Sequence, residues 1–168
     1  RHGVSAVTNP MSNLKLGSGI APVKGLIDAG VNVALGTDGV SSNNATDLFA
    51  DMKLAAILTC GATLDPMAVT AWQALEIATV HGAKALGRNT GRVVPGCDAD
   101  LILVDFRQPN LIPCHDVAEN LVYAAHGSNV SLTMARGRIL YQNGAFFTLD
   151  LDKVKQEVAQ YAIPKLFG

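Results

Sequence analysis

The sequence predicts an α/β fold, with parallel strands in the first half of the chain and a small β-rich unit in the second. Three observations carry that expectation. Val31, Val33, Ala34 and Leu35 form an apolar, β-branched-rich run broken only by Asn32, which suits a strand covered on both faces as in parallel sheets. Ahead of it the order is strand, loop, helix, strand, the βαβ arrangement in which a crossover helix makes the two strands parallel. Beyond Asn89 to Pro95 helical spacing gives way to short β-type bursts, so the boundary between the two units falls near Gly87 to Gly91.

Val4 to Val7 read as the first strand, and the polar stretch Thr8-Asn9-Pro10-Met11-Ser12-Asn13 as the loop that ends it. Pro22 sits as a first-turn proline of a helix whose stripe is Val23, Leu26 and Ile27, closed by Gly30 where a left-handed cap is favoured. The second strand, from Val31, runs out at Gly36-Thr37-Asp38-Gly39. The next helix is expected from about Asp47 to Cys60, with Leu48, Met52, Ala55, Ala56 and Leu58 on its apolar face, Asn44 or Thr46 as its cap, and Gly61 to Leu64 as its break. Asp65-Pro66 opens a further helical stretch in which Val69, Trp72, Leu75, Ile77 and Ala78 fall at helical spacing, followed by Ala83 to Leu86. His81, among small helical residues, reads as a packed or surface histidine rather than a ligand.

In the β-rich unit, Arg92 to Val94 and Ala99 to Val104 read as strands around a Pro95-Gly96 turn. A proline-bounded loop, Pro109 to Pro113, precedes a helical piece at Val117 to Ala125. Val130 to Ala135 and Arg138 to Tyr141 are strands joined at Arg136-Gly137, with Asn143-Gly144 as another turn. The tail from Leu151 to Tyr161 is expected as an amphipathic helix ended by Pro164. The resulting partition is 1–90, an α/β unit; 91–148, a β unit; and 149–168, a terminal helix.

Among 168 residues the net charge is −1, so the chain lacks the basic footprint of a nucleic-acid or anionic-membrane binder. No apolar run approaches the ~20 residues that span a bilayer. Cys60, Cys97 and Cys114 are odd in number and contain no C-x-x-C pair, which disfavours a disulfide framework or a cysteine zinc site. With no signal-like leader at Arg1, a cytoplasmic location is expected. Two parallel strands alone leave unpaired edges and an uncovered face. The expected completing partner is the remainder of the same polypeptide rather than a second chain, and a homo-oligomer stays open.

Asp38 is the leading candidate for chemistry. It lies just past the C-terminal end of a parallel strand, the rim that return helices leave open in such folds, and can be a metal ligand or proton acceptor. A turn or cap aspartate is the local alternative. Ser12, Asn13, Ser42, Asn43 and Asn44 are short polar side chains on the two strand exits, suited either to turn hydrogen bonding or to shaping a pocket and supporting Asp38. An isolated Lys15 reads as solvated.

Asn9-Pro10-x-Ser12-Asn13-Leu14-Lys15-Leu16-x-Ser18-Gly19-x-Ala21-Pro22 and Gly36-Thr37-Asp38-Gly39-x-x-Ser42-Asn43-Asn44 together resemble a known family. They are similar to the C-terminal part of the amidohydrolase superfamily, in the branch of 5-methylthioadenosine/S-adenosylhomocysteine deaminases and related chlorohydrolases and aminohydrolases. Ala78-Thr79-x-x-Gly82-Ala83-x-Ala85-Leu86-Gly87 and Gly96-x-x-Ala99-Asp100-Leu101 extend the resemblance over nearly the whole chain. It implies the last two strands and helices of a (β/α)8 TIM barrel, the C-terminal strands of a small composite β-sandwich, and a terminal helix. It further implies one divalent metal at the barrel rim, zinc foremost with iron or manganese as alternatives, and Asp38 as the ligand after the last strand.

The family's histidine ligands would lie upstream of Arg1; none of His2, His81, His115 or His126 falls in their motifs. The chain departs from the family pattern at Thr8, where many members carry histidine, and that leaves the subgroup open. The resemblance implies hydrolytic deamination of an aminopurine nucleoside or related small-molecule substrate, with Asp38 both ligating the metal and passing a proton. Guanine or 8-oxoguanine deamination and triazine dechlorination are the alternatives within enzymes, and a non-catalytic barrel subunit is the alternative of another class. These 168 residues alone are expected to be inactive, because one carboxylate cannot hold a metal that needs about three protein ligands.

Overall fold

A computed structural model describes residues 3–168; His2 lies outside them. Strands β1 (Ser5–Thr8) and β2 (Asn32–Leu35) pair in parallel, with Thr8 opposite Leu35 at the exit end. The crossover between them holds two short helices, α1 (Pro10–Lys15) and α2 (Val23–Asp28). After β2 come α3 (Val40–Asn43), α4 (Leu48–Thr63), α5 (Ala71–Ala78) and α6 (Val80–Ala85). The second unit contains β3 (Leu101–Val104), α7 (Val117–Tyr123), β4 (Val130–Ala135), β5 (Arg138–Gln142) and β6 (Ala145–Phe146), and its strands form one antiparallel sheet in sequence order. The tail is helical, as α8 (Leu151–Glu157) and α9 (Ile163–Phe167) joined by a π turn over Val158–Ala162.

The βαβ unit, the long fourth helix and the antiparallel strands follow the sequence reading. The core lies where β2 meets the helices: Val33 and Leu35 pack with Met52 and Ala56 of α4 and Ala74 and Ile77 of α5. Helix α7 returns to this core, burying Ala118 and Val122 against α4 and α5, although its sequence position is inside the β unit. Gly30 takes the left-handed conformation (φ +73°) that ends the α2 segment, which only a residue without Cβ adopts freely.

Several local expectations are corrected. The segment after β1 is not a loop: Pro10 supplies a helical φ at the first position, where its missing N–H costs nothing, and α1 follows. Asp47, rather than Asn44 or Thr46, caps α4 by accepting from the Phe49 N–H at 3.0 Å. Gly61 does not break α4, which stops only at a left-handed Leu64 (φ +54°) whose N–H returns to the Cys60 carbonyl. Helix α5 starts at Ala71 instead of Asp65, because Thr70 and Gln73 form a reciprocal capping box while Asp65 caps a tight turn through the Met67 N–H.

Trp72, expected on the apolar face of that helix, is 66% exposed. Arg92 to Val94 form no strand; they line a crevice with Leu101 of the edge strand β3 without pairing to it. Pro164 does not end the tail helix: it sits near the start of α9, and the preceding π turn accommodates a residue that cannot donate to the helical ladder.

Candidate functional site

The parallel register sets the two strand exits side by side. The Gly36 N–H donates to the Thr8 carbonyl at 3.0 Å, extending the β1–β2 ladder one rung past the strands. Gly36 leaves room there for Asn9: a Cβ would meet Asn9 Oδ1, so that side chain would have to move, and would touch Val7 Cγ1 at 3.4 Å. Beyond it the chain turns sharply. Asp38 takes a left-handed backbone (φ +61°), a region aspartate tolerates better than most residues, and this directs its side chain back across the rim.

Three donors fix the Asp38 carboxylate. Ser12 Oγ, on α1 and 2% exposed as a residue, donates to Oδ2 at 2.6 Å. Ser42 Oγ lies 2.8 Å from the same oxygen and 2.9 Å from the Gly39 carbonyl, so its single proton is shared between two acceptors. The Gly39 N–H donates to Oδ1 at 2.8 Å. Ser12, then Ser42, then Gly39 stabilise the charged form and hold the Asp38 carboxyl below the ordinary carboxylate range, with slight burial opposing them. A carboxylate offers about four lone-pair sites, and these bonds leave one on Oδ1. Asp38 is exposed.

The other polar residues separate into distinct positions. Asn43 is buried and donates both amide hydrogens, to the Thr37 carbonyl at 2.7 Å and to Asp51 Oδ2 at 2.8 Å. Asn44 ends α3 in a left-handed conformation (φ +68°), and its Oδ1 accepts from Lys15 Nζ, which ties the ends of α1 and α3 together. Lys15 is therefore engaged rather than simply solvated. Asn13 does not meet Asp38; it lines a crevice with Thr8, Ile20, Ala21 and Thr59.

Asp51 was missed. It is 1% exposed and accepts from the Met11 N–H on Oδ1 at 3.0 Å as well as from Asn43 on Oδ2. The available signal was an aspartate on the apolar stripe of α4, one turn from both Leu48 and Ala55. His81 is a packing residue, its Nδ1 2.9 Å from the Val33 carbonyl, while His115 and His126 are exposed. Among the described residues no three His, Cys, Asp or Glu side chains cluster as a metal site. Asp38 thus fits a divalent metal as one anionic oxygen ligand with a free lone pair, the rest of the donor set coming from elsewhere.

The amidohydrolase family model matches residues 1–140. The chain belongs to the amidohydrolase family. It is 50% identical over 160 residues to a 5′-deoxyadenosine deaminase of Methanosarcina mazei, covering 95% of this chain and 37% of that protein. It is 52% identical over 153 residues to a 5-methylthioadenosine/S-adenosylhomocysteine deaminase of Moorella thermoacetica, covering 90% of this chain and 36% of that protein. Among solved structures, an adenosine deaminase from Xanthomonas campestris with bound zinc matches with a TM-score of 0.93 at 36% identity, over 96% of this chain and 37% of that one. Atrazine chlorohydrolase from Arthrobacter aurescens, complexed with zinc, matches with a TM-score of 0.87 at 29% identity, over 94% and 35%.

The chain spans little more than a third of the length of these relatives. Its β1 and β2 are the last two strands of the family's (β/α)8 barrel, and β3 to β6 belong to the small β unit of the same fold.

Proposed function

We propose that this chain is the C-terminal part of a metal-dependent hydrolytic deaminase of 5′-modified adenine nucleosides, of the methylthioadenosine, S-adenosylhomocysteine or 5′-deoxyadenosine type. The observation that carries the reading is the Asp38 carboxylate, fixed by donors from both strand exits yet left with one lone pair at an open rim. The similarity at about half identity to deaminases of that substrate class supports it. Residues 1–90 form the last barrel units, 91–148 the β-sandwich portion from which α7 crosses back to the barrel helices, and 149–168 the terminal helix. The remainder of the barrel, with the other metal ligands, comes from the rest of the polypeptide. Unpaired Cys60, Cys97 and Cys114 agree with a reducing cytoplasm.

A divalent metal, zinc in this reading, supplies when bound a nucleophile at neutral pH by acidifying water from a pKa of 15.7 toward about 7. Asp38 would hold that metal through its free Oδ1 lone pair and would receive a proton at Oδ2. Oδ2 becomes available when the Ser42 hydroxyl turns its proton fully to the Gly39 carbonyl, which it already reaches at 2.9 Å. Ser12 stays in place and keeps the carboxylate oriented. Asn43 holds the backbone before Asp38, and Asn44 holds α3 to α1.

The test uses the full-length protein, with metal analysis followed by assays on methylthioadenosine, S-adenosylhomocysteine, 5′-deoxyadenosine, guanine and atrazine. Bound zinc with release of ammonia from the adenine nucleosides is the expected result. Preference for guanine or atrazine would replace the substrate assignment, and absence of any bound metal would replace the enzyme with a scaffold.

A further inference from the structure

The most deeply buried carboxylate in the described chain has no part in the chemistry above. Asp51 projects from the first turn of α4 toward the rim, where each oxygen takes one donor: Met11 N–H on Oδ1 at 3.0 Å and Asn43 Nδ2 on Oδ2 at 2.8 Å. Each donor stands one step from the Asp38 carboxylate. Met11 immediately precedes Ser12, which donates to Asp38 Oδ2 at 2.6 Å. Asn43 uses its other amide hydrogen on the carbonyl of Thr37, the residue immediately before Asp38, at 2.7 Å. One side chain on a rigid 16-residue helix thus holds both the backbone that presents Asp38 and the backbone that presents its hydroxyl partner.

We propose that Asp51 is the positioning residue of this rim, setting the two strand exits in register so that Asp38 meets the metal in a single orientation. The inference rests on the metal-ligand reading of Asp38. A carboxylate is the side chain this job requires, because both donors it faces are N–H groups and it must accept on both sides. Asparagine in its place has one oxygen. Turned to the Met11 N–H, that oxygen leaves an amide N–H facing the Asn43 amide, and an Asn43 that flips in response points its own oxygen at the Thr37 carbonyl. Either way one of the two exits loses its tie.

The experiment uses full-length protein carrying Asp51→Asn, Asp51→Glu or Asp38→Ala, with zinc affinity measured by chelator competition, steady-state kinetics at saturating zinc, and thermal melting. Asp51→Asn is expected to weaken zinc binding and lower kcat by about 10- to 100-fold each, the range for residues that orient metal ligands without touching the metal. KM is expected to stay within about threefold, since substrate binding groups are not displaced. Asp51→Glu keeps two acceptor oxygens and is expected to lie nearer to wild type in zinc affinity and kcat; it also serves if Asp51→Asn does not fold.

Folded Asp51→Asn with wild-type zinc affinity and kcat would overturn the inference. So would equal damage by Asn and Glu confined to the melting temperature, which is what a purely structural role produces. If Asp38→Ala leaves zinc affinity unmoved, the metal-ligand reading falls and takes this inference with it; if Asp38→Ala weakens zinc and Asp51→Asn does not, the inference alone falls.

Discussion

Replacing Asp38 with asparagine tests the proposed proton transfer apart from the fold that presents the side chain. The native side chain accepts from Ser12 at 2.6 Å, from Ser42 at 2.8 Å and from the Gly39 N–H at 2.8 Å. The Gly39 N–H can only donate, so the asparagine oxygen must face it and the amide nitrogen must face the two serines. Hydroxyls donate or accept. Ser12 and Ser42 can therefore rotate to receive the amide hydrogens, with Ser42 sending its own proton to the Gly39 carbonyl at 2.9 Å. Ser42 keeps an acceptor, but the buried Ser12 hydroxyl loses the one for its own proton, a cost of about 1 to 3 kcal/mol, so the melting temperature of the full-length protein is expected to fall modestly while the fold is kept. What is lost is the negative charge and the basic oxygen. A positioned proton-transfer group contributes about 10² to 10⁴-fold, and kcat at saturating metal is expected to fall by that factor. The assay follows the ultraviolet change from aminopurine to hydroxypurine on the preferred nucleoside, with metal content measured on the same sample. An Asp38→Asn enzyme that is fully metal-loaded and turns over at the wild-type rate would refute the assignment of proton transfer to Asp38.

Three further outcomes test the scaffold around the site. Gly91 has φ +87°, and a Cβ there would lie 2.9 Å from the Thr79 carbonyl oxygen, so Gly91→Ala should destabilise the full-length protein by roughly 2 to 4 kcal/mol, read from thermal melting. Thr70→Ala removes the capping box of α5 and should cost about 1 kcal/mol in denaturant unfolding. The Arg107 side chain and backbone N–H hold the Asp105 carboxyl down at about 2. Because the folded value is depressed, the pair's contribution is present above the unfolded value of about 3.9 and is lost as pH falls from there through about 2. Arg107→Ala should move the Asp105 midpoint up toward that unfolded value in a carboxyl-carbon NMR titration.

Elements whose local signals agree with their tertiary setting were legible in the sequence. Strand β4 matches its expected bounds because its run of Val130 to Ala135 ends in Arg136-Gly137, and both residues adopt the positive φ that such a turn demands. The same holds for α2, framed by Pro22 and Gly30. Where signals conflicted, tertiary structure decided. The polar residues of α1 resemble a loop because they serve the rim: Ser12 reaches Asp38, and the Met11 N–H is claimed by Asp51. Arg92 to Val94 have strand-forming residues, yet they lie in a crevice with Leu101 of the edge strand β3 without pairing to it, so local propensity did not decide the pairing. Asp51 was readable only as a charge on the wrong face of an amphipathic helix. Its two bonds go to the Met11 N–H, 40 residues away, and to the Asn43 side chain, and periodicity carries no information about either.

The local motif around Asp38 does not by itself distinguish a turn aspartate from a ligand, and its hydrogen bonds support the proposed ligand role. A turn aspartate is satisfied by backbone close to itself, as Asp65 and Asp105 are, each accepting from the backbone N–H two residues on. Asp38 takes only one such bond, from Gly39. Its shortest bond comes from Ser12, on the other strand exit, and that contact exists only because the parallel register and the bare Gly36 backbone bring the exits together. A carboxylate serving the turn alone has no use for a buried serine across the rim, nor for a helix-borne aspartate that anchors both approaches. Orientation enforced from two separate strand exits is what the proposed ligand role requires, since a metal tolerates little error in the direction of the oxygen offered to it.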